Sequence, residues 1–130
     1  MKAATREWIR KAESDYQVAV SLMRRRKVPA RDHACFHFQQ SAEKYVKARL
    51  EEAGVRFPKS HDIAALIQAA APLEPLWPAM TVAARRLNKY AVNVRYPGED
   101  ASEAEMKSAH QDAKMIRREA RAALAEYLSD

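Results

Sequence analysis

Residues 34–50 read Ala34-Cys35-Phe36-His37-Phe38-Gln39-Gln40-Ser41-Ala42-Glu43-Lys44-Tyr45-Val46-Lys47-Ala48-Arg49-Leu50, and this stretch decides the fold class. Cys35, Phe38, Ala42, Tyr45, Val46 and Leu50 recur at spacings of three and four, so they fall on one stripe of an α-helix. His33, His37, Gln40, Lys44 and Lys47 occupy another stripe, with Gln39 and Glu43 beside it. A helix with one apolar side must bury that side against other elements, and the rest of the chain offers only more helices.

Upstream, Trp8, Ile9, Ala12, Tyr16, Ala19, Val20 and Met23 carry the same period, predicting a first helix from about residue 4 to 26. Pro29 is expected to break it and Asp32 to cap the second helix, which runs from about residue 33 to 53 and is closed by Gly54. Ser60 is a candidate cap for a short third helix over about 61–71. Pro72, Pro75 and Pro78 make a stiff turn, where Leu76 or Trp77 is expected to fill a core gap. A fourth helix over about 79–93 would bury Met80, Ala83, Leu87, Ala91 and Val94. Ser102 and Glu105 have capping-box spacing and open a last helix reaching about residue 128, with Met106, Ala109, Ala113, Ile116, Ala120, Leu124 and Tyr127 inward. The expected architecture is all-α: an up-and-down antiparallel bundle of four main helices plus one short helix, forming a single domain over residues 1–130.

Composition agrees with this. Of 130 residues, 48% are hydrophobic and 31% charged, and only two are glycine, which suits helices and disfavours a sheet. No apolar run approaches the roughly 20 residues that cross a bilayer, and the first residues lack the apolar block of a signal peptide, so a cytoplasmic location without a membrane is expected. A single cysteine, Cys35, precludes an internal disulfide and lies on the apolar stripe, where a thiol packs rather than reacts. The net charge is +6, and it is uneven: residues 1–60 hold 14 Lys/Arg against 7 Asp/Glu, and residues 61–130 hold 9 against 10. A basic half attracts an acidic partner, either nucleic acid or protein. Its densest part, residues 24–27, sits at a helix end, where cations also meet the negative end of the helix dipole.

Few residues suggest chemistry. The serines lack a nucleophile context, and with glycine only at 54 and 98 there is no phosphate-cradling loop. His33 and His37 have the i, i+4 spacing of a metal pair but no further ligands, so neither a metal nor a cofactor is expected. Glu43 and Lys47, also four apart, are expected to form a surface ion pair worth a few tenths of a kcal/mol. Asp15 borders the buried face of the first helix; it either meets a cation, Arg95 being one candidate, or stands at a solvated edge. The segment from Asn93 to Asp100 breaks the helical pattern. Pro97 biases Tyr96 away from helix, Gly98 permits a turn, and Arg95 and Tyr96 bring a cation and a phenol to a rigid bend.

Taken together, residues 34–44, His61-Asp62-Ile63, Arg95-Tyr96-Pro97 and the opening segment from Trp8 to Asp15 resemble the HEPN family, over essentially the whole chain. The resemblance implies a helical bundle that commonly dimerises around a cleft. Many bacterial members are paired with a minimal nucleotidyltransferase in systems of toxin–antitoxin type, and some are metal-independent ribonucleases. The ribonuclease motif is an arginine and a downstream histidine separated by four to six intervening residues. Counted from Arg95, those positions hold Asp100, Ala101 and Ser102, none of them an imidazole; the nearest downstream histidine is His110. RNA cleavage without a metal needs a proton acceptor for the 2′-hydroxyl, and an exposed aspartate, titrating near ~4, is a weak base at neutral pH. The expected function is therefore a homodimeric module that binds a nucleotide, RNA or a nucleotidyltransferase partner through Arg95, Tyr96, His37, Gln40, Lys44 and Asp15, with no catalytic residue assigned. The alternative is a metal-independent ribonuclease toxin using Arg95 with an unconventional base.

Overall fold

The computed structural model describes residues 1–25, 28–92 and 96–128, with the backbone alone at 28 and 29. The described residues form helices and connecting turns and contain no strand. Helix α1 spans Ala3–Met23, α2 Val28–Glu52, α3 Ile63–Ala70, α4 Thr81–Asn88, α5 Glu103–Ala123 and α6 Ala125–Leu128, with a 3-10 turn at Trp77–Met80 leading into α4.

Helix α2 is the axis of the molecule. Its expected stripe is fully buried: Cys35, Phe38, Ala42, Tyr45, Val46 and Leu50 each have no accessible surface. Cross-contacts fix the directions of its neighbours. Lys2 N–H donates to Glu52, Tyr45 Oη donates to Glu13, and Tyr16 packs on Phe38, so α1 runs antiparallel to α2. Ala101 N–H reaches Asp32, His110 stacks on Phe38 and Arg121 reaches Tyr45, so α5 runs parallel to α2. Arg86 on α4 pairs with Asp112 and Lys89 with Glu105, making α4 antiparallel to α5. The chain returns along α2 through residues 53–62, where Phe57 meets Trp8 edge to face at 6.2 Å, before α3 descends again. This is the expected helical bundle. Its fourth main helix is the 3-10 turn plus α4, and α3 is the short helix.

Several element ends differ from expectation for identifiable reasons. α1 stops at Met23, with Arg24 and Arg25 in a turn; Arg26 lies outside the described residues. α2 begins at Val28 rather than His33, because Pro29 falls in the first turn, where a helical N–H has no partner to lose. Asp32 therefore lies inside α2 rather than before it, and its carboxylate accepts the Ala101 N–H at 2.8 Å. The cap of α3 is Asp62, bonded to Ala65 N–H at 3.2 Å, while Ser60 Oγ accepts from Asp62 N–H one step earlier. α4 ends at Asn88, short of the expected 93, and Val94 lies outside the described residues. At the proline-rich turn Trp77 is the core residue, at 4% exposure, whereas Leu76 points outward. Ser102 and Glu105 form the capping box as read, but Leu124 breaks the last helix so that α6 is a separate turn.

Candidate functional site

The bend before α5 is a turn closed by Glu99 N–H donating to Tyr96 C=O at 3.0 Å. Pro97 at its second position and Gly98 at φ +88° at its third are what a type II turn demands. Tyr96 is exposed at its start, while Arg95 lies outside the described residues. The turn leads directly into structural machinery. Ala101 is buried and its N–H is held by Asp32; Ser102 Oγ accepts from Glu105 N–H at 3.0 Å and Ser102 N–H donates back to Glu105 at 3.1 Å. That backbone bond, with help from Lys89, holds the Glu105 carboxyl down at about 2. The tether of Ala101 to Asp32 also lays this segment against the first turns of α2.

One turn further along α2, three of the residues read from sequence come together. His37 Nδ1–H donates to Asp15 Oδ1 at 2.8 Å, and Lys44 Nζ donates to the other carboxylate oxygen. All three side chains are largely buried, with Asp15 the most enclosed at 14% exposure. Asp15 thus has two cation-capable partners from α2. The register of antiparallel α1 and α2 sets this meeting, because His37 and Lys44 lie two turns apart on one stripe and Asp15 faces them from α1. With Nδ1 held by Asp15, Nε2 is the ring nitrogen that remains for another partner. Gln40 turns away from this group and donates to Gln39 Oε1 at 2.6 Å.

The expected surface pair of Glu43 and Lys47 is instead buried, with side chains 3% and 8% exposed and Nζ 2.8 Å from Oε2. α3 and the returning connector cover it. His61 Nδ1–H donates to Glu43 at 2.8 Å, Gln39 Nε2–H at 3.1 Å, and Lys47 lies over the Trp8 ring at 5.4 Å. The carboxylate is thereby satisfied by three donors, as a buried charge must be. A second cluster went unread in the sequence. Arg117 donates twice to Glu13 at 2.8 Å, and Tyr45 Oη donates to the same carboxylate. Arg117 above all, against the opposing effect of burial, holds Glu13 at about 2, while burial and the bond to Glu13 push Tyr45 up to about 12. These clusters lock α1, α2, α5 and the connector before α3 together.

His110, the nearest histidine after the bend, stands two turns inside α5. Its ring stacks on Phe38 at 5.0 Å and shares a 3.2 Å hydrogen bond with Tyr16 Oη. Burial, reinforced by Lys114, lowers its pKa, so the neutral ring is favoured. Among the described residues no group of three or more His, Cys, Asp or Glu side chains could hold a metal, and no helix is long and apolar enough to cross a membrane.

The described residues thus form an all-helical bundle with a tethered turn before α5 and a carboxylate–imidazole–ammonium group between α1 and α2. A model of the HEPN domain matches residues 5–123, and the chain belongs to the HEPN domain family. A crystal structure described as that of an archaeal HEPN homologue is similar to it at 25% identity and a TM-score of 0.73, covering 94% of this chain and 98% of that one. No curated protein matches the chain.

Proposed function

We propose that the chain is a non-catalytic or weakly catalytic HEPN module that forms a homodimer and binds a nucleotide, RNA or a minimal nucleotidyltransferase in a toxin–antitoxin-like pair. Arg95 and Tyr96 present the cation and phenol, and the Asp15–His37–Lys44 group adds polar contacts. One observation carries this reading: the positions where the family's ribonuclease histidine belongs are filled and occupied otherwise. Ala101 is buried and tethered to Asp32, Ser102 is the cap of α5, and the remaining position is the exposed Asp100. His110 does not replace the missing base, since its ring is engaged with Phe38 and Tyr16.

The test is incubation of the purified chain with mixed RNA in EDTA, beside binding of labelled RNA and nucleotides and light scattering. Intact RNA, a mass twice 14.8 kDa, and binding weakened by Arg95→Ala are expected. EDTA-resistant cleavage abolished by Arg95→Ala would instead favour the ribonuclease reading, for which His37, held by Asp15 through Nδ1, is the base to test first.

A further inference from the structure

At the end of the bundle that carries the bend, the last turn of α1, the first turn of α2 and the start of α5 border a cavity of about 280 Å³, lined by Met23, Arg31, Glu103 and Met106. The hydrogen bond from Ala101 N–H to Asp32 ties the start of α5 to α2 at this corner. Met106 and Met23 supply the apolar lining, the first buried and the second half-buried. Arg31 is half-buried too, and among the described residues its guanidinium has no hydrogen-bond or ion-pair partner. A guanidinium drawn partly out of water without an acceptor gains by binding one. Glu103 meets Lys107 one turn on at 3.5 Å, with side chains 69% and 70% exposed. So exposed a pair holds the carboxylate only weakly.

These four side chains select the ligand together. Thioethers pack well against π faces, and the two charges ask for a plane with acceptors on one edge and donors on the next. Guanine has both: O6 and N7 accept two bonds from a guanidinium, and the N1 and N2 N–H groups donate two to a carboxylate. Adenine and cytosine offer one amino group beside a ring acceptor, which repels the second carboxylate oxygen, and the single N–H of uracil lies between two carbonyls. A zwitterionic amino acid would also answer one cation and one anion. Arg24 and Arg25 argue against it: they follow Met23 directly, are exposed, and have no side-chain partner among the described residues. Such a surplus of positive charge favours a ligand with a net negative charge, which a phosphate supplies and an amino acid lacks.

We propose that this cavity binds the guanine base of a nucleotide or of an RNA strand, with Arg31 donating to O6 and N7, Glu103 accepting from N1 and N2, and phosphate toward Arg24 and Arg25. This base site rests on the nucleotide or RNA binding proposed above, and it gives that binding a preference for one base.

The whole chain is titrated with guanosine monophosphate, adenosine monophosphate, leucine, and two short single-stranded RNAs that differ only in one guanine replaced by adenine. Calorimetry and amide chemical shifts read the binding. Guanosine monophosphate should bind about tenfold or more tighter than adenosine monophosphate, with shifts at Met23, Arg31, Glu103 and Met106. Glu103→Gln should remove most of that preference, and Arg31→Met should weaken guanosine monophosphate about tenfold. Glu103 is exposed and takes no part in the Ser102–Glu105 capping box, so its variant should fold, and unchanged circular dichroism checks both. Guanine RNA binding well above guanosine monophosphate would support the site as one for a strand, and equal affinities would support it as one for the free nucleotide. Leucine shifting the same amides, equal binding of the two nucleotides, or a guanine preference indifferent to Glu103→Gln would each overturn the proposal. Base-blind binding that Arg95→Ala abolishes would overturn it and leave the function above standing, whereas no binding by any nucleotide or RNA would overturn both.

Discussion

Tyr16 Oη and His110 Nε2, 94 residues apart in the chain, share a 3.2 Å hydrogen bond across the α1–α5 contact, with the imidazole stacked on Phe38. Burial lowers the pKa of His110, with Lys114 adding to the effect. A lowered histidine favours the folded state while neutral, so its contribution is complete above the ordinary value near ~6.5 and is lost as pH falls below it. His110→Phe should therefore melt less acid-sensitively than the native chain between pH 7.5 and 5. At pH 7.5 it should be less stable by about 1 kcal/mol, for the lost bond to Tyr16. Thermal melts of the two proteins across this range check both signs. Parallel curves would rule out the buried neutral ring as the source.

The carboxylate at the centre of the bundle predicts behaviour at lower pH. Glu13 is held at about 2, chiefly by Arg117, against an ordinary value of 4.5. A depressed carboxyl stabilises the fold above its ordinary value and ceases to do so as pH falls from 4.5 toward 2. Solvent reaches part of this side chain, so the full shift overstates its worth, and about 1–2 kcal/mol is the expected contribution. Glu13→Gln should lose that amount at pH 7 and show a shallower decline between pH 4.5 and 2. Urea midpoints at three pH values measure it.

Glu43 and Lys47 make the sharper mutational case because both are buried. Glu43→Ala leaves the Lys47 ammonium facing the Trp8 ring without its carboxylate and is expected to cost about 3–5 kcal/mol. Lys47→Met should cost less, since Glu43 keeps the donors His61 and Gln39. The pair Glu43→Leu with Lys47→Met should recover part of the loss, giving a favourable coupling in a double-mutant cycle. Additive losses would mean that the two side chains act independently.

This pair also marks what the sequence could and could not convey. The stripe of Cys35, Phe38, Ala42, Tyr45, Val46 and Leu50 is a local pattern, and one helix period suffices to read it. Gln39, Glu43 and Lys47 are polar and so read as surface; they are buried because α3 and the connector, contributed by residues 53–70, fold over them. Asp32 has the residue type of a cap, yet it is used 69 positions away at Ala101. The same limit applies at the candidate site. Asp15 is legible as a carboxylate bordering a buried face and His37 and Lys44 as members of one polar stripe, but their convergence depends on the register of α1 against α2, which no periodicity within either helix encodes. Glu13 and Arg117, 104 residues apart, gave no local signal at all.

The start of α5 yields a prediction about capping. Ser102 satisfies Glu105 N–H and Glu105 returns the bond, so Ser102→Ala should cost about 1 kcal/mol. Alanine keeps the backbone N–H at position 102 that chiefly lowers the Glu105 pKa, so the acid sensitivity between pH 4.5 and 2 should change little. Ser102→Asp should be close to neutral at pH 7, because aspartate is an equally good cap. Equal losses in both variants would show that the hydroxyl acts by something other than capping.

The three positions that follow Arg95 at the family's spacing give a test of the function itself, because the structure ranks them. Ala101→His would force an imidazole into a site with 3% exposure and should destabilise the chain strongly. Ser102→His would remove the cap of α5. Asp100→His alone adds the imidazole at an exposed position without disturbing the turn, the cap or the Asp32 tether. If the native chain fails to cleave RNA only because it lacks a base, Asp100→His should acquire EDTA-resistant cleavage with a pH optimum near neutrality, and Arg95→Ala in the same background should abolish it. Activity in Asp100→His that survives Arg95→Ala would separate cleavage from the bend altogether. An inert, fully folded Asp100→His would mean that an imidazole at the family's spacing from Arg95 does not suffice for cleavage.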